Sequence, residues 1–164
     1  MPESHVAVVL PLAREKTIRW IDKSTGEISA PRKSTKKDNI YASFRELYKI
    51  RDFIGNKNLE IKLLFLSVDE YRYLDSKNGK RGAVRAECII KEVLDEISIT
   101  SKSDFISFLP SGLNEEFTVK DFARAAGLPL KRISYIISFL RIVGAIEQCG
   151  MCGRAYLYKK SRIL

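Results

Sequence analysis

Two cysteines three positions apart, Cys149 and Cys152, form the chain's most reactive-looking pair. Thiolates across a glycine-bearing turn, here Cys149-Gly-Met-Cys-Gly153, can bite one zinc ion at tetrahedral angles. One such pair supplies only two ligands, so a complete site would need Cys88, His5 or a second chain. A redox pair is a second use, although the strand-to-helix context of thioredoxin-like motifs is missing, and an inert turn is the third. His5 is the only histidine and lies near the N-terminus, which excludes chemistry that needs a histidine base. Asp69 and Glu70, followed by Tyr71-Arg-Tyr73, place two carboxylates just beyond an apolar run, where α/β proteins put sites and where solvated turns also fall. The last group is cationic and polar: Lys131, Arg132, Ser134, Tyr135, Ser138 and Arg141 share one side of a stretch whose other side is Ile133, Ile136, Ile137 and Leu140.

Composition narrows the partners of such groups. The 164 residues carry a formal charge of +9, which favours a polyanion because each neutralised phosphate releases counterions. The excess is concentrated: residues 98–164 hold ten Lys and Arg against five Asp and Glu. Val6–Leu10 and Leu63–Leu66 are too short to span a bilayer, and no basic start with a long apolar core marks a signal peptide. A cytoplasmic protein with reduced thiols and no membrane partner is the expectation, since three cysteines make no disulfide framework.

The elements that must position these groups follow from periodicity. Val6-Ala-Val-Val-Leu10 predicts a strand ending at Pro11, and Thr17–Ile21 with Glu27–Ala30 predicts a β-hairpin around Gly26. Pro31–Asp38 reads as a solvated basic loop or arm. Together with Arg14, Lys16 and Arg19 it makes the hairpin basic, able to extend a DNA footprint or meet another acidic surface. Ile40, Phe44, Leu47, Tyr48 and Ile54 predict one helix face ending near Gly55, covering the sheet. Leu59–Val68 turns from alternating to continuously apolar, as a central strand does. After a polar break at Asp75–Gly82, Val84–Ile90 predicts a strand and Lys91–Glu96 a short turn or strand. The fold class expected is α+β, with a small α/β domain over residues 1–99 (mixed sheet, hairpin and covering helix) and a second domain over 100–164.

The second domain is the more legible. Ser101 or Ser103 caps a helix Asp104–Leu109 with Phe105, Phe108 and Leu109 inward. Thr118 and Asp121 approximate a capping box for a helix with Phe122, Ala125 and Ala126 on one side, stopped by Gly127. A third helix spans about Pro129 to Val143, and strands Ala145–Gln148 and Ala155–Lys159 flank a tight basic turn. The series Phe117-Thr-Val-Lys-Asp-Phe-Ala-Arg-Ala-Ala-Gly127, a basic amphipathic helix and a hairpin closing on Gly153-Arg-Ala-Tyr-Leu-Tyr158 resembles bacterial winged helix-turn-helix regulators over roughly residues 101–160. That resemblance implies double-stranded DNA as partner. The third helix would lie in the major groove through Lys131, Arg132, Ser134, Tyr135 and Ser138, with Lys120 and Arg154 near phosphates. Homodimers reading paired half-sites are common in such proteins. Winged helices also serve as protein-interaction modules, so an adaptor stays open.

The N-terminal order of strand, hairpin, helix and strand resembles restriction-endonuclease-like folds, in which an Asp and a Glu-x-Lys hold Mg²⁺ and activate water. The fit is poor: Asp22 and Glu27-Ile-Ser29 put serine where lysine belongs, and the literal Glu60-Ile-Lys62 follows the helix. A degenerate site is what this resemblance implies, with Glu60, Lys62 and Asp69 as its catalytic candidates and Mg²⁺ as cofactor only in that case. The whole chain also resembles bacterial proteins that join an N-terminal α/β region carrying a segment like Leu12–Trp20 to a C-terminal winged helix. A transcription regulator is the expected function, with a nuclease or nuclease-derived protein of a defence or mobile-element system as the alternative.

Overall fold

Pro11 does not end the first strand. In the computed structural model, which describes residues 4–75 and 79–161, β1 runs unbroken over Val6–Ile21. Proline removes a ladder donor, so strands tolerate it where one flank has no partner. That condition holds here, because β2 (Arg32–Lys33) pairs antiparallel only with Thr17 and Ile18, beyond the proline. The hairpin is present with a shorter second arm than Glu27–Ala30: Gly26 takes φ 74°, Asp22 N–H donates to Glu27 O at 3.0 Å, and Ile21 bridges Ile28. Pro31–Asp38 is mostly exposed loop, as expected, but not a free arm: it is tied to β1 through β2, through Ser34 N–H to Lys16 O (2.8 Å) and through Asp38 N–H to Ala13 O (3.0 Å).

β3 (Leu59–Asp75) and β4 (Gly79–Ile99) complete a four-stranded sheet in the order β2-β1-β3-β4. The interior place of β3 matches its apolar run: Ile61, Leu63, Phe65, Leu66 and Val68 are all buried. β4 is one strand of 21 residues, so Lys91–Glu96 is neither a turn nor a separate piece. The expected polar break coincides in part with residues 76–78, outside the described residues. A smaller sheet of order β5-β7-β6 is built from Glu116–Thr118 (β5), Ile146–Cys152 (β6) and Ala155–Lys160 (β7). The chain is α+β, and no helix among the described residues is long and apolar enough to cross a membrane.

By packing, the described residues fall into two compact units, one from Val9–Asn39 and Leu63–Ile97, the other from Met1–Val8, Ile40–Lys62 and Ser98–Leu164. A division at residue 99 or 100 is therefore one of sequence, whereas the packing groups Ile40–Lys62 with the C-terminal residues. The reason is α1 (Phe44–Lys49), expected to cover the sheet. It is flanked by 3-10 turns at Ile40–Ala42 and Arg51–Phe53 rather than extending as one long helix. Phe44 is fully buried, 5.3 Å from the Phe139 ring and 6.2 Å from that of Phe108. Tyr41 joins the cluster edge-on to Phe122 and donates its hydroxyl to Phe108 O at 3.0 Å; burial pushes its phenol pKa up to about 12. Edge-to-face rings contribute roughly 0.5–1.5 kcal/mol per pair beyond the area they bury.

The rest of that unit is assembled from caps and apolar faces. Asp104 Oδ2 accepts from the N–H groups of Thr100 and Ser101 and starts the 3-10 helix Lys102–Phe108, which buries Phe105 and Phe108 but leaves Leu109 half-buried. α2 (Val119–Ala126) begins with the expected box: Asp121 N–H donates to Thr118 Oγ1, and Asp121 Oδ2 accepts from Thr118 N–H at 2.9 Å. A cap of this kind is worth about 1 kcal/mol. Gly127, at φ 63°, closes the helix as the left-handed residue an L side chain rarely adopts. The buried face of α2 is Phe122 and Ala123, not Ala125, which is exposed.

Candidate nucleic-acid interface

α3 covers Ile133–Ile142 and is preceded by a 3-10 turn, Leu130–Arg132. The helix starts later than expected, since Pro129 is extended and the three residues after it form the 3-10 turn. Its apolar side is wholly buried: Ile133, Ile136, Phe139 and Leu140 have no exposed surface, and Ile137 is 4% exposed. The other side is open. Ser134 and Arg141 are exposed, Tyr135 and Ser138 half-buried, and Lys131 and Arg132 stand exposed in the 3-10 turn at the helix start.

β6 and β7 form the hairpin expected after α3, with a shorter turn. Cys152 pairs with Ala155, so only Gly153, at φ 60°, and Arg154 lie between the strands. Cys149 and Cys152 therefore sit in strand β6 rather than in a turn, Cys149 at the register shift between Gln148 and Gly150. Both are exposed free thiols, and the described residues contain no grouping of three or more His, Cys, Asp and Glu able to hold a metal. Glu147 and Lys159, opposite each other in the ladder, pair at 3.1 Å.

Several exposed cations of this unit are committed to nothing within it, Arg45 and Lys102 among them. Five of them surround α3: Lys120 on α2, Lys131 and Arg132 in the 3-10 turn, Arg141 on α3 and Arg154 between β6 and β7 are exposed, and none makes an ion pair or side-chain hydrogen bond among the described residues. Unneutralised cations on rigid elements are what an anionic partner requires.

The cations of β1 are arranged otherwise. Lys16 Nζ lies 3.1 Å from Glu70 Oε2, Arg72 Nε donates to Glu70 Oε1 at 2.5 Å, and Arg19 is 3.7 Å from Asp69. Arg14 meets Asp95 at 3.2 Å and stacks over Phe65, 3.9 Å from its centroid. A role for Arg14, Lys16 and Arg19 in a basic footprint would first have to break these contacts. Asp69 and Glu70 lie inside β3, not beyond a strand end, and both are buried although, as neighbouring residues of a strand, they point to opposite faces of the sheet. Asp69 Oδ1 has no hydrogen-bond partner among the described residues. Glu60 and Lys62 pair with each other at 3.6 Å, both partly exposed. His5 is exposed.

Sequence reasoning missed these two groupings of cations around buried carboxylates. The signal was available in Lys16 and Arg19 within an alternating strand and in Arg72 two residues from Glu70, but not the pairing that joins them. Burial alone would raise the Glu70 pKa; the hydrogen bonds from Arg72 and Lys16 outweigh it and hold the carboxyl below its ordinary range. A carboxylate depressed on folding stabilises the protein above its unfolded pKa and loses that contribution as pH falls through the folded one. Denaturant midpoints of the wild type should accordingly drop as pH is lowered below about 4.5. Glu70→Gln should be less stable at neutral pH and show a shallower acid decline; parallel pH profiles would refute the assignment.

Residues 1–100 match the model of a family described as Domain of unknown function (DUF8091). The chain belongs to that family. The match ends just past β4, so the family range covers both charged clusters of β1 and β3 and leaves the cationic elements from Ser101 onward outside it. Over 164 residues the chain is 24% identical to a protein of Treponema pallidum (strain Nichols) described as "Uncharacterized protein", an alignment spanning 98% of this chain and 63% of that one. This member of the family thus corresponds to under two thirds of the treponemal relative's length. No solved structure matches it.

Proposed function

We propose that this protein binds double-stranded DNA through residues 101–160, which we read as a winged helix-turn-helix, and that it acts as a regulator of transcription. The order helix, strand, helix, helix, strand, strand with a sheet of order β5-β7-β6 supports this architecture. α3 would be the recognition helix and the β6–β7 hairpin the wing. With its side chains an α-helix is about 10–12 Å across, so α3 fits a major groove about 12 Å wide. Lys131, Arg132, Ser134, Tyr135 and Ser138 would meet base edges and phosphates, and Lys120 and Arg154 the flanking backbone.

The observation that carries the reading is that Lys120, Lys131, Arg132, Arg141 and Arg154, on the elements around α3, are exposed and without partners among the described residues, set against the neutralised Arg14, Lys16 and Arg19 of β1. Anisotropy titrations of a labelled duplex across a salt series test it. If all five reach phosphates, log affinity should fall with log salt at a slope of about −4.5. An affinity indifferent to salt would favour a protein partner instead. The same titration with Mg²⁺ should leave the duplex intact.

A further inference from the structure

β4 is the outer strand of the four-stranded sheet, so one whole edge of a 21-residue strand has no strand beside it among the described residues. Edges of this kind are usually short, bulged or guarded by charge, because their free N–H and C=O groups template pairing with another chain. This edge is long, and its exposed charges, Arg85, Glu87, Lys91 and Glu92 among them, are of both signs and interspersed with β-branched residues. Val84, Ile90 and Leu94 on one face and Ile89 and Val93 on the other are 60%, 60%, 36%, 44% and 53% exposed.

We infer that β4 pairs antiparallel with β4 of a second copy of this chain, about a two-fold axis through Ile89. The inference rests on self-complementarity and is independent of the DNA-binding reading. With Ile89 opposite itself, Glu87 faces the second copy's Lys91 and Lys91 faces its Glu87, Val84 faces Leu94 at both ends, and Cys88 faces Ile90. Opposite charges and apolar pairs directly across a ladder both favour pairing. A slip of one residue would set side chains of opposite faces against each other, which a two-fold pairing of identical strands does not allow; a slip of two sets either Cys88 against Glu92 and Val84 against Glu96, or Arg85 against Lys91 and Val84 against Glu92. The complementarity therefore selects a register as well as a partner. Eleven paired residues per strand would add roughly ten backbone hydrogen bonds, and a two-fold pairing uses up both edges and so closes at a dimer.

Sedimentation of the 164-residue chain tests this first: it should form dimers. Glu87→Lys puts lysine opposite lysine twice and should raise the dimer dissociation constant about tenfold or more. Adding Lys91→Glu to that variant restores opposite charges and should restore the dimer. The register is read by Ile89→Cys in a background carrying Cys88→Ser, Cys149→Ser and Cys152→Ser. Residue 89 then meets its own copy within disulfide range and should cross-link on mild oxidation, whereas Val84→Cys in the same background should not. A monomer, a larger assembly, a dimer untouched by Glu87→Lys, or cross-linking through position 84 in place of 89 would each overturn the inference.

Discussion

Replacing Lys131 and Arg132 together by alanine is expected to weaken duplex binding about a hundredfold, taking each contact at roughly 1.4 kcal/mol within the usual 1–3 kcal/mol range. The salt slope should become shallower by about one unit for each of the two that touches phosphate rather than a base. Both side chains are exposed and make no ion pair among the described residues, so the fold has little to lose. The melting behaviour should stay within the small range typical of surface changes, about ±0.5 kcal/mol. Loss of affinity with stability preserved distinguishes a binding surface from a structural one. An affinity within threefold of wild type would remove α3 and its leading turn from the interface, whatever else binds. Ser134 and Arg141 offer a graded check, because they share the open side of α3 but lie farther along it.

Phe44→Ala should destabilise the core around α3 by about 3–5 kcal/mol. Its ring has no exposed surface and touches the rings of Phe139 and Phe108, so truncation leaves a cavity walled by aromatics that are themselves pinned. Such a cost is a large share of a typical total stability of about 5–15 kcal/mol. It should lower DNA affinity only through the unfolded fraction, so saturating protein would recover the wild-type salt slope. The same packing predicts that residues 98–164 expressed alone will not fold. Without Ile40–Lys62 the fragment exposes the side of Phe139 that Phe44 covers and leaves Phe108 O without the Tyr41 hydroxyl. Denaturant melts of the variant and near-ultraviolet circular dichroism of the fragment measure both effects. A cost under about 1 kcal/mol, or a folded fragment, would show that α1 is a dispensable cover.

These two experiments probe different kinds of information. The contacts of Lys131 and Arg132 with solvent follow from their place in an amphipathic pattern. The contact of Phe44 with Phe139 joins residues 95 positions apart, and no local pattern announces it. The expectation that α1 covers the N-terminal sheet came from its position in the chain, and its actual partner is α3. Pro11 misled for a related reason: whether a proline ends a strand depends on what lies beside it, and the flank that would have needed its N–H carries no strand there. By sequence alone Asp69 and Glu70 fit either a site or a solvated turn beyond a strand end. They are buried because Lys16, Arg19 and Arg72 meet them there.

From residue order alone came whatever depends on neighbours a few positions away: the Thr118–Asp121 cap, the left-handed Gly127, the buried stripe of α3 with its polar opposite side, and β3 as an interior strand. Only the tertiary arrangement settled which segments share a core, which charges are neutralised, and which strand is left at the edge. Caps and periodicities are fixed by hydrogen bonds and side-chain spacing within one or two turns. Core membership and charge pairing depend on partners distant in the chain, which are chosen by the free energy of the whole fold.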